Sequence, residues 1–208
     1  MIPKLGVPNA YRIADFEETV YSVIESPFVT CVDFRKFLYA DRKEGGMPCN
    51  CGKQPIVVPD NAEWGPLFWK LIHGFAERAG RSKVPILQTD EKLSWKVLLT
   101  TLPTAVACPD CREHLAAYVL LNPIVIPDKY EDLRPYVRRW LYDLHEDVNR
   151  RLGKPSFPFE QLPTDTDLKK TFGILNIVIK KSIQGTSLSL LAWIKWSKHA
   201  RLLVGMYT

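Results

Sequence analysis

Two cysteines two residues apart, Cys108-Pro109-Asp110-Cys111, are the residues of this chain best suited to chemistry. Such a spacing lets two thiols close a small reversible disulfide or supply half of a zinc site. The ten residues that follow, Arg112 to Leu121, hold no helix breaker and read as a helix ending near Asn122-Pro123. The pair therefore stands at a helix N-terminus, where the positive end of the helix dipole favours a thiolate. A second pair, Cys49-Asn50-Cys51, lies in a stretch whose glycines and proline mark it as a loop. Cys31 makes five cysteines, an odd number that excludes a fully paired framework within one chain.

The elements around these residues read as helices. Ile13, Phe16, Val20 and Ile24 recur at helical spacing before Pro27, and Cys31 to Tyr39 continues as a second short helix. From Asp60 four helices are expected. The first has Pro66 in its opening turn and runs to about Ala79; the second is capped by Thr89 or Asp90 and disturbed near Pro103. The third follows the cysteine pair, and the fourth spans Tyr130 to Leu152 with Gly153 as its cap. No strand pattern occurs between 60 and 155. The fold class is all-α: a four-helix bundle over 59–158, an N-terminal extension over 1–58 with the Cys49/Cys51 loop, and a basic helical extension over 159–208.

On these helices, residues with ring and amide chemistry share faces. Trp69, His73 and Ala76 superpose on the first, and His145 and Asn149 on the fourth, with Trp140 a turn and a half earlier and Lys154 just past the end. Aromatic faces stack on a flat heterocycle, His and Asn bond its edges, and Lys meets a phosphate. Taken singly, each of these residues is more often simply buried.

Together they carry a resemblance. Trp64-Gly65-Pro66-Leu67-Phe68-Trp69-Lys70-Leu71-Ile72-His73 resembles the WGPxxWxxLH opening of the Erv/ALR family of FAD-linked sulfhydryl oxidases. Cys108 to Leu115 is similar to that family's CxxC with a downstream His, here His114. Trp140 to Pro155 resembles its last motif, W-L-x-x-L-H-N-x-V-N-x-x-L-G-K-P, and contributes His145, Val148, Asn149, Leu152 and Lys154. Two departures stand out: Glu146 replaces the motif's Asn, and Tyr142 stands where many members carry a cysteine bridged to a partner near Phe159. Both positions are aromatic here, and an apolar contact is expected in place of that bridge.

The resemblance implies FAD as cofactor, held by Trp64, Gly65, Trp69, His73, His114, Trp140, His145, Val148, Asn149, Leu152 and Lys154. It makes Cys111 the flavin-proximal thiolate and Cys108 the thiol that exchanges with protein dithiol substrates. Dioxygen would take the electrons and leave as hydrogen peroxide. Cys49 and Cys51 are the candidate shuttle, since a disulfide across one residue is a strained and oxidising ring. A homodimer is implied as well. Two rivals are a zinc-stabilised binding module on Cys49, Cys51, Cys108 and Cys111, and a thioredoxin-like reductase, which needs a strand before Cys108.

Composition bounds the rest. With 208 residues, 46% of them hydrophobic and 25% charged, the chain suits an ordinary globular core. A net charge of +5 implies no nucleic-acid partner. The N-terminal residues lack a signal-like apolar core and no run approaches a transmembrane length, so a cytoplasmic setting is expected, in host cytoplasm or virion if the chain is viral, as the resemblance to oxidases of large DNA viruses hints. Between Leu168 and Thr208 stand seven Lys or Arg and no acid. Leu190, Trp193, Trp196, Ala200, Leu203 and Tyr207 form an apolar stripe there. It either packs on the bundle or a second subunit, or meets an acidic partner or a membrane face.

Overall fold

The computed structural model describes residues 57–162 and 164–208, and among them no strand occurs. The readings for Cys31, Cys49, Cys51 and the helices before Val57 lie outside the described residues. The described residues form six α-helices: α1 Asn61–Arg78, α2 Pro85–Ala105, α3 Pro109–Leu121, α4 Leu133–Arg151, α5 Leu168–Gln184 and α6 Leu190–Tyr207.

Asp60 starts α1. Its carboxylate accepts the amides of Ala62 (2.8 Å) and Glu63 (2.9 Å), and Glu63 accepts the Asp60 amide in return. This reciprocal cap sets the helix start more than a turn before Pro66. Pro66 thus stands in the second turn, where it forfeits only the bond to the Ala62 carbonyl. Likewise α2 begins at Pro85, a first-turn proline without a side-chain cap, one turn before the expected Thr89 or Asp90.

At the end of α4, Gly153 adopts φ +64°, a left-handed conformation that suits glycine. The Lys154 amide returns to the Asn149 carbonyl at 2.9 Å and that of Gly153 to Arg150 at 3.2 Å, the two bonds of a Schellman end.

Helix α1 packs on α4 and α5, and α2 packs on α3 and α6. The α6 stripe turns inward. Trp196, Ala200 and Leu203 are completely buried, and Trp196 stacks on Phe68 of α1 at 5.1 Å. Of the two sequence readings of the tail, packing on the bundle is the one observed. A buried polar hub pins α6 further: Glu91 accepts the hydroxyls of Tyr130 and Tyr207, and Trp95 Nε1 donates to Tyr207 at 2.9 Å. On the other side, Gly74 lets α1 approach closely. A Cβ there would stand 2.9 Å from both Thr166 Cβ and Leu168 Cδ2.

Candidate active site

Cys108 is the N-cap of α3, and its Sγ accepts the Cys111 amide at 3.2 Å. The two cysteines are joined in a disulfide, with Cα atoms 5.1 Å apart. Proline at the first helical position and a cap at Cys108 are what turn the pair into a helix start. Helix α2 occupies the stretch just before it, so the strand that a thioredoxin-like arrangement needs is absent there.

Cys111 forms part of the wall of a largely apolar cavity of about 820 Å³. Its long side is α1, which contributes Trp64, Gly65, Trp69, Lys70 and His73. The end of α4 contributes His145, Val148, Asn149 and Leu152, and the Schellman turn delivers Lys154. His114 comes from α3, one turn after Cys111.

A flat stack of rings marks the α1–α4 seam. Trp69 and His145 lie 3.9 Å apart and 4° from parallel, and His73 Nε2 stands 3.0 Å from His145 Nδ1. One of the two facing nitrogens carries the proton of that contact and the other accepts it. Burial holds His73 down to about 3, helped by His145 and Arg138. Burial also lowers His145 to about 4, with Glu146 opposing and Lys154 assisting. The His73 Nδ1 atom is buried without a partner.

His114 differs from the other two. Its Nε2 meets Asp147 Oδ2 at 2.8 Å, which leaves Nδ1 buried and unpartnered. Asp147 gave no signal in the sequence, because its role is made across two helices. Asn61 is a second residue that sequence reasoning missed: its Nδ2 donates to Cys111 Sγ at 3.8 Å. Only the cap at Asp60, overlooked in favour of Pro66, could have placed it.

Trp140 is not among the lining residues. Its indole packs edge-on to Tyr118 and donates to the Asn122 carbonyl at 3.2 Å. Five residues separate it from His145, about 140° round the helix, so the two cannot share a face. Cys108 also lies off the cavity wall.

The Erv1 / Alr family profile matches residues 66–169, half of the chain. The chain belongs to the Erv1/Alr family. Over 97 residues it is 31% identical to a provisionally named FAD-linked sulfhydryl oxidase of Invertebrate iridescent virus 6, covering 46% of this chain and 84% of that protein. Identity to a mitochondrial FAD-linked sulfhydryl oxidase of Schizosaccharomyces pombe is 29% over 125 residues, 56% of this chain and 63% of that one. An African swine fever virus FAD-linked sulfhydryl oxidase is 31% identical over 93 residues, 44% of this chain and 69% of that one. No solved structure matches the chain.

Both departures of this Erv1/Alr member have a structural account. Glu146 accepts the Ser156 hydroxyl and the Phe157 amide, and the Ser156 bond above all holds its carboxyl below the usual range. The clamp sets Phe157 edge-on to His145 at 5.0 Å. Tyr142 meets Phe159 edge-on at 5.1 Å and donates to the Phe157 carbonyl at 2.8 Å, so a ring contact takes the place of the family's bridge. Arg138 covers the same Phe159 ring at 4.8 Å.

Proposed function

We propose that this chain is a FAD-linked sulfhydryl oxidase that forms disulfide bonds in protein thiols and delivers the electrons to dioxygen, giving hydrogen peroxide. The observation that carries the reading is Cys111, half of a disulfide, on the wall of a cavity lined by stacked Trp69 and His145. The names of the viral and fungal relatives point the same way.

The cavity fits FAD on its own terms. Its volume is that of an organic ligand site. Flat rings line it, the buried His73 Nδ1 and His114 Nδ1 lack protein partners, and Lys70, Arg151 and Lys154 supply cations for phosphates. Trp64, Gly65, Trp69, His73, His114, His145, Val148, Asn149, Leu152 and Lys154 would hold the cofactor, with Trp140 tying α4 to the end of α3. FAD takes an electron pair from a dithiol and returns it to dioxygen, chemistry no side chain performs.

The chain's residues do the rest. A substrate thiolate attacks Cys108 Sγ, the thiol away from the cavity, and the Cys108–Cys111 bond breaks. Its electron pair leaves on Cys111 Sγ, which the first turn of α3 stabilises as a thiolate. Neutral His73 and His145 give the cavity hydrogen-bonding edges without adding charge. Cys49 and Cys51 would relay electrons from folded substrates to Cys108, and two chains would associate as a homodimer.

The test is direct. FAD should co-purify, and Cys111→Ser should abolish dithiol-dependent oxygen uptake. Full uptake by that variant defeats the reading.

A further inference from the structure

We propose that Asn61 is a catalytic residue of the dithiol centre: its side-chain amide donates to Cys111 Sγ and stabilises the thiolate released there. The inference rests on the reading of Cys108 and Cys111 as the redox pair.

The contact joins two elements fifty residues apart. Asn61 is the first residue of α1, and the Asp60–Glu63 cap fixes its backbone. Cys111 stands in the first turn of α3. Asn61 and Cys111 border the same cavity, so the sulfur is met by the α3 turn from its own helix and by an amide donor from α1. An N–H to a neutral disulfide sulfur contributes little. The same N–H to a thiolate is a charge-assisted bond and much stronger. The interaction therefore grows as negative charge develops on Cys111, which is the requirement for accelerating the step.

That step balances without the cofactor. When dithiothreitol supplies the thiolate, a bond forms to Cys108 Sγ, the Cys108–Cys111 bond breaks, and the pair departs on Cys111 Sγ. Other charged or titratable groups face this sulfur's cavity: Lys70 and His73 from α1, His114 from α3, His145 and Arg151 from α4, and Lys154 beyond it. The cations among these also favour a thiolate. Asn61 is the group whose hydrogen bond reaches the sulfur itself.

The experiment uses the full chain as purified. In a Cys108→Ser background, iodoacetamide alkylation of the Cys111 peptide is followed by mass spectrometry across pH. Asn61→Ala should slow alkylation roughly three- to tenfold on the acid side of its midpoint and move that midpoint upward. Asn61→Asp should slow it further, because a carboxylate repels the thiolate. A purely structural role at the start of α1 predicts the reverse for Asp, since an acid in a first turn stabilises a helix. Asn61→Gln keeps the amide and should recover part of the rate. With both cysteines present, Asn61→Ala should slow dithiothreitol reduction of the disulfide by a similar factor.

Unchanged alkylation and unchanged reduction in Asn61→Ala and Asn61→Asp overturn the proposal. The two readings fail separately. A protein without FAD or oxidase activity whose Cys111 still responds to Asn61 sinks the oxidase assignment alone. An active oxidase whose Cys111 ignores Asn61 sinks only the present inference.

Discussion

His73 and His145 touch through facing ring nitrogens, and the burial of both rings makes the molecule acid-sensitive. In the unfolded chain each takes a proton near 6.5, whereas in the folded chain His73 waits until about 3 and His145 until about 4. The unfolded state therefore binds protons first as pH falls. The stability they contribute is complete above 6.5 and is lost between there and the folded values, at up to roughly 1.4 kcal/mol per pH unit for each histidine. Urea midpoints should drop over that window, and His73→Phe should flatten the drop; an unchanged slope would contradict it. For the cysteines, Cys108→Ser should leave the Cys111 thiolate on the cavity wall and produce an absorbance band at longer wavelength than the flavin's own. Absence of the band at mildly alkaline pH would mean that the two cysteines have exchanged roles. That Trp69 and His73 share one face, and His145 and Asn149 another, was legible from helical spacing, and all four line the cavity. Trp140 stands off the cavity wall, since a motif position conveys no angle, and the contacts of Asn61 and Asp147 had no direct sequence signal because they cross between helices.

Among the helices, α6 shows how far periodicity reaches. Its stripe is plain in the sequence, but the surface that receives it, Phe68 and Trp95, lies about a hundred residues away, and no local signal names it. A tail with seven cations and no acid reads as an appendage, although Trp196 is fully buried. Trp196→Ala should cost about 3–5 kcal/mol, the range for emptying a buried aromatic site. Equilibrium denaturation measures it, and a loss below about 1 kcal/mol would mean that α6 is peripheral. Deletion of 186–208 should leave an aggregating chain, since it uncovers Phe68 and leaves Glu91 without its Tyr207 partner. The helix starts were misread for a related reason: prolines drew the boundaries at Pro66 and past Pro85, while the Asp60 cap carried the stronger signal for α1.

For the molecule as a whole, burying the α6 stripe inside its own chain changes where a proposed homodimer would form. Trp193 and Trp196 are buried within the chain, so a partner must cover some other face. Sedimentation at micromolar concentration should give a dimer that survives charge reversal on α6, such as Lys195→Glu; a monomer at that concentration defeats the proposal. The proposed relay is tested by substrate size. Replacing Cys49 and Cys51 with Ser should spare oxidation of dithiothreitol and slow that of a reduced folded protein, and equal rates for both would exclude a shuttle. No helix among the described residues is long and apolar enough to cross a membrane.

Gly74 has a bearing on how sequences of this kind can diverge. With Thr166 Cβ and Leu168 Cδ2 each 2.9 Å from where a Cβ would stand, even a methyl group would wedge α5 off α1. Natural variation at position 74 should consequently track architecture. Chains that carry the α5–α6 pair are restricted to glycine there, while relatives whose bundle stops after α4 are free to hold a larger side chain. An alignment of sequences with and without the pair should separate at that one column. The glycine would then serve as a one-letter diagnostic for the six-helix form.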